Sequence, residues 1–121
     1  MSIVDSLKNM FRRASRVNSL GDIFQDNKAL KKLESFCEKR QQMDNYNFIL
    51  EVQAYKKDPT HFRFLVICNR YLFENNLNIR DEDKVLRFNG KGTEFDRLYK
   101  EIYLLLHENV WKDPEFSKLV K

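Results

Sequence analysis

Glycine and proline are scarce in this chain, with three Gly and two Pro in 121 residues. So few breakers starve an all-β sandwich of its turns. They also exclude a glycine-rich dinucleotide or phosphate loop, which needs several Gly in one short stretch. Long apolar runs are missing too: the longest are five residues, Phe64–Cys68 and Ile102–Leu106, against the roughly 18 or more that span a bilayer. The N-terminus carries no hydrophobic signal core, so the expectation is a cytosolic chain whose two cysteines stay reduced. What is abundant is apolar residues at 42% and charged residues of both signs at 33%, the balance of one folded domain with a core. Helices are the expected secondary structure.

Charge is unevenly distributed. Residues 1–20 hold four cations (Lys8, Arg12, Arg13, Arg16) against Asp5, a surplus of three out of the net +4, so the body is nearly neutral. Proteins that neutralise many nucleic-acid phosphates spread Lys and Arg over a broad face, which argues against a nucleic-acid partner. Within this leader, Ile3, Val4, Leu7, Met10, Phe11, Ala14 and Val17 fall on one helical stripe and the cations on the other. Two burial sites suit such a stripe: an anionic membrane surface, with Lys8, Phe11, Arg12, Arg13 and Arg16 as its contacts, or the domain that follows. Arg12-Arg13-Ala14-Ser15 also resembles a basophilic kinase site, where phosphate would oppose membrane attraction.

From Ser19 onward the pattern predicts helices with brief joints, so the chain divides into a leader, 1–18, and a helical domain, 19–121. Leu30, Leu33, Phe36 and Cys37 form one stripe. Phe48, Ile49, Val52 and Tyr55 form a second, led in by Asp44-Asn45, whose short polar side chains suit a helix start. Asp58-Pro59-Thr60 breaks the chain. Phe64, Leu65, Cys68, Tyr71 and Leu72 follow at helical spacing with Val66, Ile67 and Phe73 off the stripe, which predicts a central helix surrounded by others. Glu74–Asn78 reads as a polar joint, Arg80–Phe88 as one or two helical turns, and Asn89-Gly90-Lys91-Gly92 as a tight turn. A long helix is expected from Thr93 or Glu94 to about Asn109, and a last one opens at Asp113-Pro114.

Constellations for chemistry are weak. His61 and His107 are far apart and have no partner at metal-ligand spacing, and Cys37 and Cys68 sit on apolar stripes, the pattern of buried free thiols. Gly90-Lys91-Gly92-Thr93 lacks the spacing of a phosphate loop. The carboxylates Glu94 and Asp96, and Asp81, Glu82 and Asp83, fall at predicted helix starts, where they complement the helix dipole. No enzyme activity, metal or cofactor is expected.

The order of the motifs resembles the regulator of G-protein signalling (RGS) homology domain. Ser19-Leu20 with Ile23-Phe24 is similar to the family's S-L-x-x-L-L, and Asn45-x-x-Phe48 with Tyr55-Lys56-Lys57 to its E-N-x-x-F-W…Y-K-K helix. Ile67-x-x-x-Tyr71-Leu72 resembles I-Y-x-x-F-I, and Asn76-Leu77-Asn78 resembles N-L-D. Phe95-Asp96, Ile102-Tyr103-x-Leu105 and Asn109-x-Trp111 follow F-D-x-A-Q-x-x-I-x-x-L-M…Y, and Pro114-Glu115-Phe116 resembles a closing P-R-F. The likeness spans about a hundred residues.

This resemblance implies an all-α RGS-like bundle of eight or nine helices, a four-helix bundle with a terminal-helix subdomain. It further implies a GTPase-activating regulator that grips the switch segments of a GTP-bound Gα subunit, with no reactive group of its own; the basic leader adds the inner face of the plasma membrane as one expected location. The contact positions it implies are Arg40, Gln41, Asp44, Asn45, Asn76, Asn78, Leu105, Asn109 and Glu115. Departures accompany it. Arg40 stands where the family has Glu, Glu115 where it has Arg, and Asn109 where it often has Asp. The joint before Asn76 is short, and Lys112-Asp113 is inserted before Pro114. These departures leave a non-catalytic docking module as the alternative function.

Overall fold

A computed structural model describes residues 18–73, 77 and 86–120. Among them the protein is all-α. Six helices follow one another: α1 (Leu20–Ile23), α2 (Asn27–Lys39), α3 (Met43–Lys57), α4 (His61–Ile67), α5 (Asp96–Leu106) and α6 (Pro114–Val120). Both α4 and α5 run on into wider π-helical turns, Cys68–Phe73 and His107–Trp111. Six is fewer than the eight or nine that the resemblance implies. The leader through Val17, including its membrane-contact residues Lys8, Phe11, Arg12, Arg13 and Arg16, lies outside the described residues. So do Asn76, Asn78 and Arg80–Val85.

Side-chain caps define most of the helix starts. The Ser19 hydroxyl accepts from Asp22 N, the Asp26 carboxylate from Lys28 N and Ala29 N, and the Thr60 hydroxyl from Arg63 N. Asp113 accepts from Glu115 N across Pro114, whose missing N–H costs nothing in a first turn. Two expected starts are corrected. Helix α3 begins at Met43, with Asp44 and Asn45 already inside its first turn and no side-chain cap on Gln42. Helix α5 begins at Asp96, because Glu94 is drawn away: its carboxylate accepts from Asn89 N, Gly90 N and the Tyr55 hydroxyl. That helix also continues past Asn109 to Trp111. The expected tight turn is present, with Gly90 at φ 75° and Gly92 at φ 80°, while Leu86–Asn89 is not helical.

Three helices pack side by side in alternating directions. Glu51 meets Arg70, and the Phe48 and Tyr71 rings lie 5.3 Å apart, whereas further along α3 Tyr55 lies 6.4 Å from Phe64. Each step up α3 is therefore a step down α4. The same holds for α5, where Lys56 Nζ is 2.6 Å from Asp96 and Gln53 Nε2 donates to the Tyr99 hydroxyl at 3.0 Å. Between them, Phe48, Tyr55, Phe64 and Phe95 close a ring cluster with centroid separations of 5.3 to 6.4 Å about Phe95 and across Tyr55–Phe64. Each buried ring contributes about 1.5–3 kcal/mol. Helix α6 seals α2 through the Phe36 and Phe116 rings, 5.3 Å apart.

The expectation that α4 is enclosed on all sides is corrected. Phe64, Ile67, Cys68, Tyr71 and Leu72 are buried, but Phe62, Leu65 and Phe73 are exposed. The antiparallel packing covers one flank of this helix among the described residues, and hydrophobicity all round did not translate into burial all round.

A candidate docking end of the bundle

Antiparallel packing carries the ends of α4 and α5 to the level where α3 begins. By the register of the Lys56–Asp96 and Gln53–Tyr99 pairs, Asn45 lies level with His107, and Met43 with Asn109. By the Phe48–Tyr71 pair, Phe73 is level with Tyr46, so the chain leaves α4 at this same end. Leu77, beyond Asn76, is buried.

The α2–α3 joint forms the centre of this end. Helix α2 stops because Gln41 turns into the left-handed region at φ 57°, letting Gln42 N donate to Cys37 O at 2.8 Å while Gln41 N donates to Glu38 O at 3.4 Å. This is the Schellman arrangement that usually employs Gly. Asn45 Nδ2 then donates to Gln42 Oε1 at 2.8 Å, so the side chain reaches back across the joint. Asp44 is exposed beside it.

Arg40 ties the joint to the far end of the chain. Its Nη2 donates to Glu115 Oε2 at 2.7 Å and lies 3.4 Å from Asp113 Oδ2, while its guanidinium sits 5.0 Å from the Phe36 ring centroid. The two positions at which the resemblance finds reversed charges thus face each other. Asp113 was legible in the sequence as a helix cap, but its second role as a partner of Arg40 was not. Nor was Gln42, the acceptor for Asn45.

Leu105 and Asn109, one helical turn apart, are exposed where α5 passes into its π-helical extension. Arg40, Gln41, Asp44, Asn45, Asn109 and Glu115 are thereby gathered at one end from three separate parts of the chain. Leu105 is level with Asn47, one turn further in.

The two thiols lie in the core. Burial pushes the Cys37 thiol up to about 12 and the Cys68 thiol up to about 11, so both are protonated at neutral pH. Tyr46, one residue after Asn45, is pushed up to about 12, again by burial first. Among the described residues no cluster of His, Cys, Asp and Glu converges to hold a metal ion, and no helix is long and apolar enough to cross a membrane. What the end presents is Gln41, Asp44, Asn45 and Asn109 beside the Arg40–Glu115 pair, with Leu105 exposed one turn further in. The chain matches no protein-family model, no curated protein and no solved structure.

Proposed function

We propose that this chain is a divergent RGS-like domain, a helical bundle with a terminal subdomain, that binds the switch segments of GTP-bound Gα and accelerates GTP hydrolysis. The observation that carries the reading is the convergence of Arg40, Gln41, Asn45, Asn109 and Glu115 on one end of the bundle. A second support is the Arg40–Glu115 pair. Two charges reversed independently on a contact surface would repel the usual partner. Reversed together and 2.7 Å apart, they neutralise each other instead.

The mechanism needs no reactive group from this chain. Gα carries its arginine in cis and the glutamine that orients the attacking water, so the regulator has only to hold the switch segments in their transition-state arrangement. Order imposed on those segments raises the rate because the added binding is selective for that arrangement. Asn suits the task, since its amide donates and accepts at once. At Asn45, one N–H is committed to Gln42 and the other N–H and the carbonyl remain for a partner. The leader, with its surplus of cations, would hold the domain on the anionic cytoplasmic face of the plasma membrane.

Single-turnover hydrolysis by a panel of GTP-loaded Gα subunits tests this reading. Acceleration by at least one subunit, reduced by Asn45→Ala, is expected. No acceleration and no affinity for the aluminium-fluoride state of any Gα would dispose of it.

One observation favours a second reading. Because Asn45 is already hydrogen-bonded within the joint, its amide also serves as a structural clasp, as it would in a non-catalytic docking module. Such a module would bind its partner equally in both nucleotide states.

A further inference from the structure

Helix α2 presents a row of cations that the docking end does not use. Lys28, Lys32 and Lys39 are exposed and recur at helical positions i, i+4 and i+11, with Ser35 completing the stripe at i+7. At about 1.5 Å per residue the row is about 16 Å long. None of the three has a carboxylate at ion-pair distance among the described residues. Glu34 and Glu38 project about 90° or more away around the helix. Arg40, at the end of the row, is by contrast neutralised by Glu115 and Asp113.

Beside the row runs an open groove of about 430 Å³, lined by Phe36, Lys39, Arg40, Glu115 and Leu119. Lys32 Nζ donates to Leu119 O at 2.9 Å, which fixes α6 against the row, and the Leu119 side chain is 48% exposed. An uncompensated cation row flanked by an exposed leucine has the chemistry of an interfacial surface, with cations at headgroup level and an apolar side chain beneath them.

We infer that the α2–α6 face, through Lys28, Lys32, Lys39 and Leu119, is a second contact surface for an anionic membrane, in addition to the basic leader. Charge complementarity carries the choice of occupant. The body as a whole is nearly neutral, so this row is a local feature and not part of a general positive field. The basic leader ends at Asn18, nine positions before α2 begins at Asn27, so the two sets of cations are neighbours in sequence. The inference stands apart from the Gα reading and is tested without nucleotide or Gα.

The experiment is co-sedimentation of the full chain with vesicles of phosphatidylcholine containing about 30% phosphatidylserine, and with phosphatidylcholine alone. The triple variant Lys28→Gln/Lys32→Gln/Lys39→Gln should lose at least about tenfold in partitioning to the anionic vesicles, with no change on neutral ones. A control, Lys57→Gln/Lys91→Gln/Lys100→Gln, removes the same charge elsewhere and should lose less than about threefold. Equal losses in the two triples would reduce the effect to net charge and overturn the proposal, as would no loss in the first. Tighter, row-dependent binding to soluble polyglutamate than to the vesicles would overturn it in favour of an acidic polypeptide. Should the triple variant melt early, Lys28→Gln and Lys39→Gln singly, each losing about two- to threefold, carry the same test.

Discussion

Arg40 and Glu115 close the molecule on itself: 75 residues apart in sequence, they stand 2.7 Å apart in space and join the end of α2 to the start of α6. Asp113, 3.4 Å from the same guanidinium nitrogen, gives Arg40 a second acceptor. The α2–α3 joint is therefore braced by α6 and the residue that caps it.

A charge-reversal cycle measures that brace. Both side chains are partly exposed, 44% for Arg40 and 73% for Glu115, so the pair is worth about 0.2–1 kcal/mol. Arg40→Glu should cost more than this value, because it sets three carboxyl groups together, and Glu115→Arg should cost a similar amount. The double reversal should recover most of the loss in urea unfolding. Strictly additive losses would show that the two residues do not interact.

Gln41 holds a left-handed conformation that costs a non-glycine residue about 1–2 kcal/mol. Gln41→Gly removes that strain but adds freedom to the unfolded chain, an opposing effect of about 0.4–1 kcal/mol. The net expectation is a stabilisation of about 0.5 kcal/mol, read as a higher urea midpoint with unchanged slope. If the Gα reading is right, the same variant weakens binding, because Gln41 lies on the docking end.

Glu94 should contribute to the acid limb of stability. Burial alone would raise its pKa, but hydrogen bonds from the Tyr55 hydroxyl and from the backbone, including Asn89 N and Gly90 N, outweigh it and hold the carboxyl below the usual range. A folded-state pKa below the unfolded value means stability that is full above about pH 5 and lost as pH falls through the folded value. Wild-type protein should therefore lose stability as pH falls from about 5 into and below the ordinary carboxyl range. Glu94→Gln should be less stable at pH 7 by about 1–2 kcal/mol and show a flatter acid limb in pH-dependent thermal melts.

Hydrophobic spacing made α2, α3, α4 and α5 legible, because Leu33, Phe36, Phe48, Tyr55, Phe64 and Ile102 recur at helical intervals and are all buried. A helix start was legible at Asp113-Pro114, where a side-chain oxygen caps the first turn, and illegible where tertiary contacts recruit the same group. Glu94 looked like a helix-start residue, yet Tyr55, 39 positions earlier in the chain, claims its carboxylate. At the docking end, the sequence supplied the residues but not their relations. No local pattern announces that Arg40 meets Glu115, or that Asn45 reaches back to Gln42.

Stability and docking should separate cleanly between two side chains of α5 and its approach. Phe95 is fully buried among Phe48, Tyr55 and Phe64, so Phe95→Ala opens a cavity and should cost about 3–5 kcal/mol, a large part of the stability of a chain this size. Leu105 is 43% exposed, and Leu105→Ala should change the unfolding free energy by no more than about 0.5 kcal/mol. On the Gα reading, the same truncation removes an apolar contact from the partner surface and should weaken binding about tenfold. Titration of folded Leu105→Ala against an aluminium-fluoride-loaded Gα that binds wild type decides the matter. Unchanged affinity would remove Leu105 from the docking surface, whereas Phe95→Ala should fail by unfolding, visible in its far-ultraviolet circular dichroism before any partner is added.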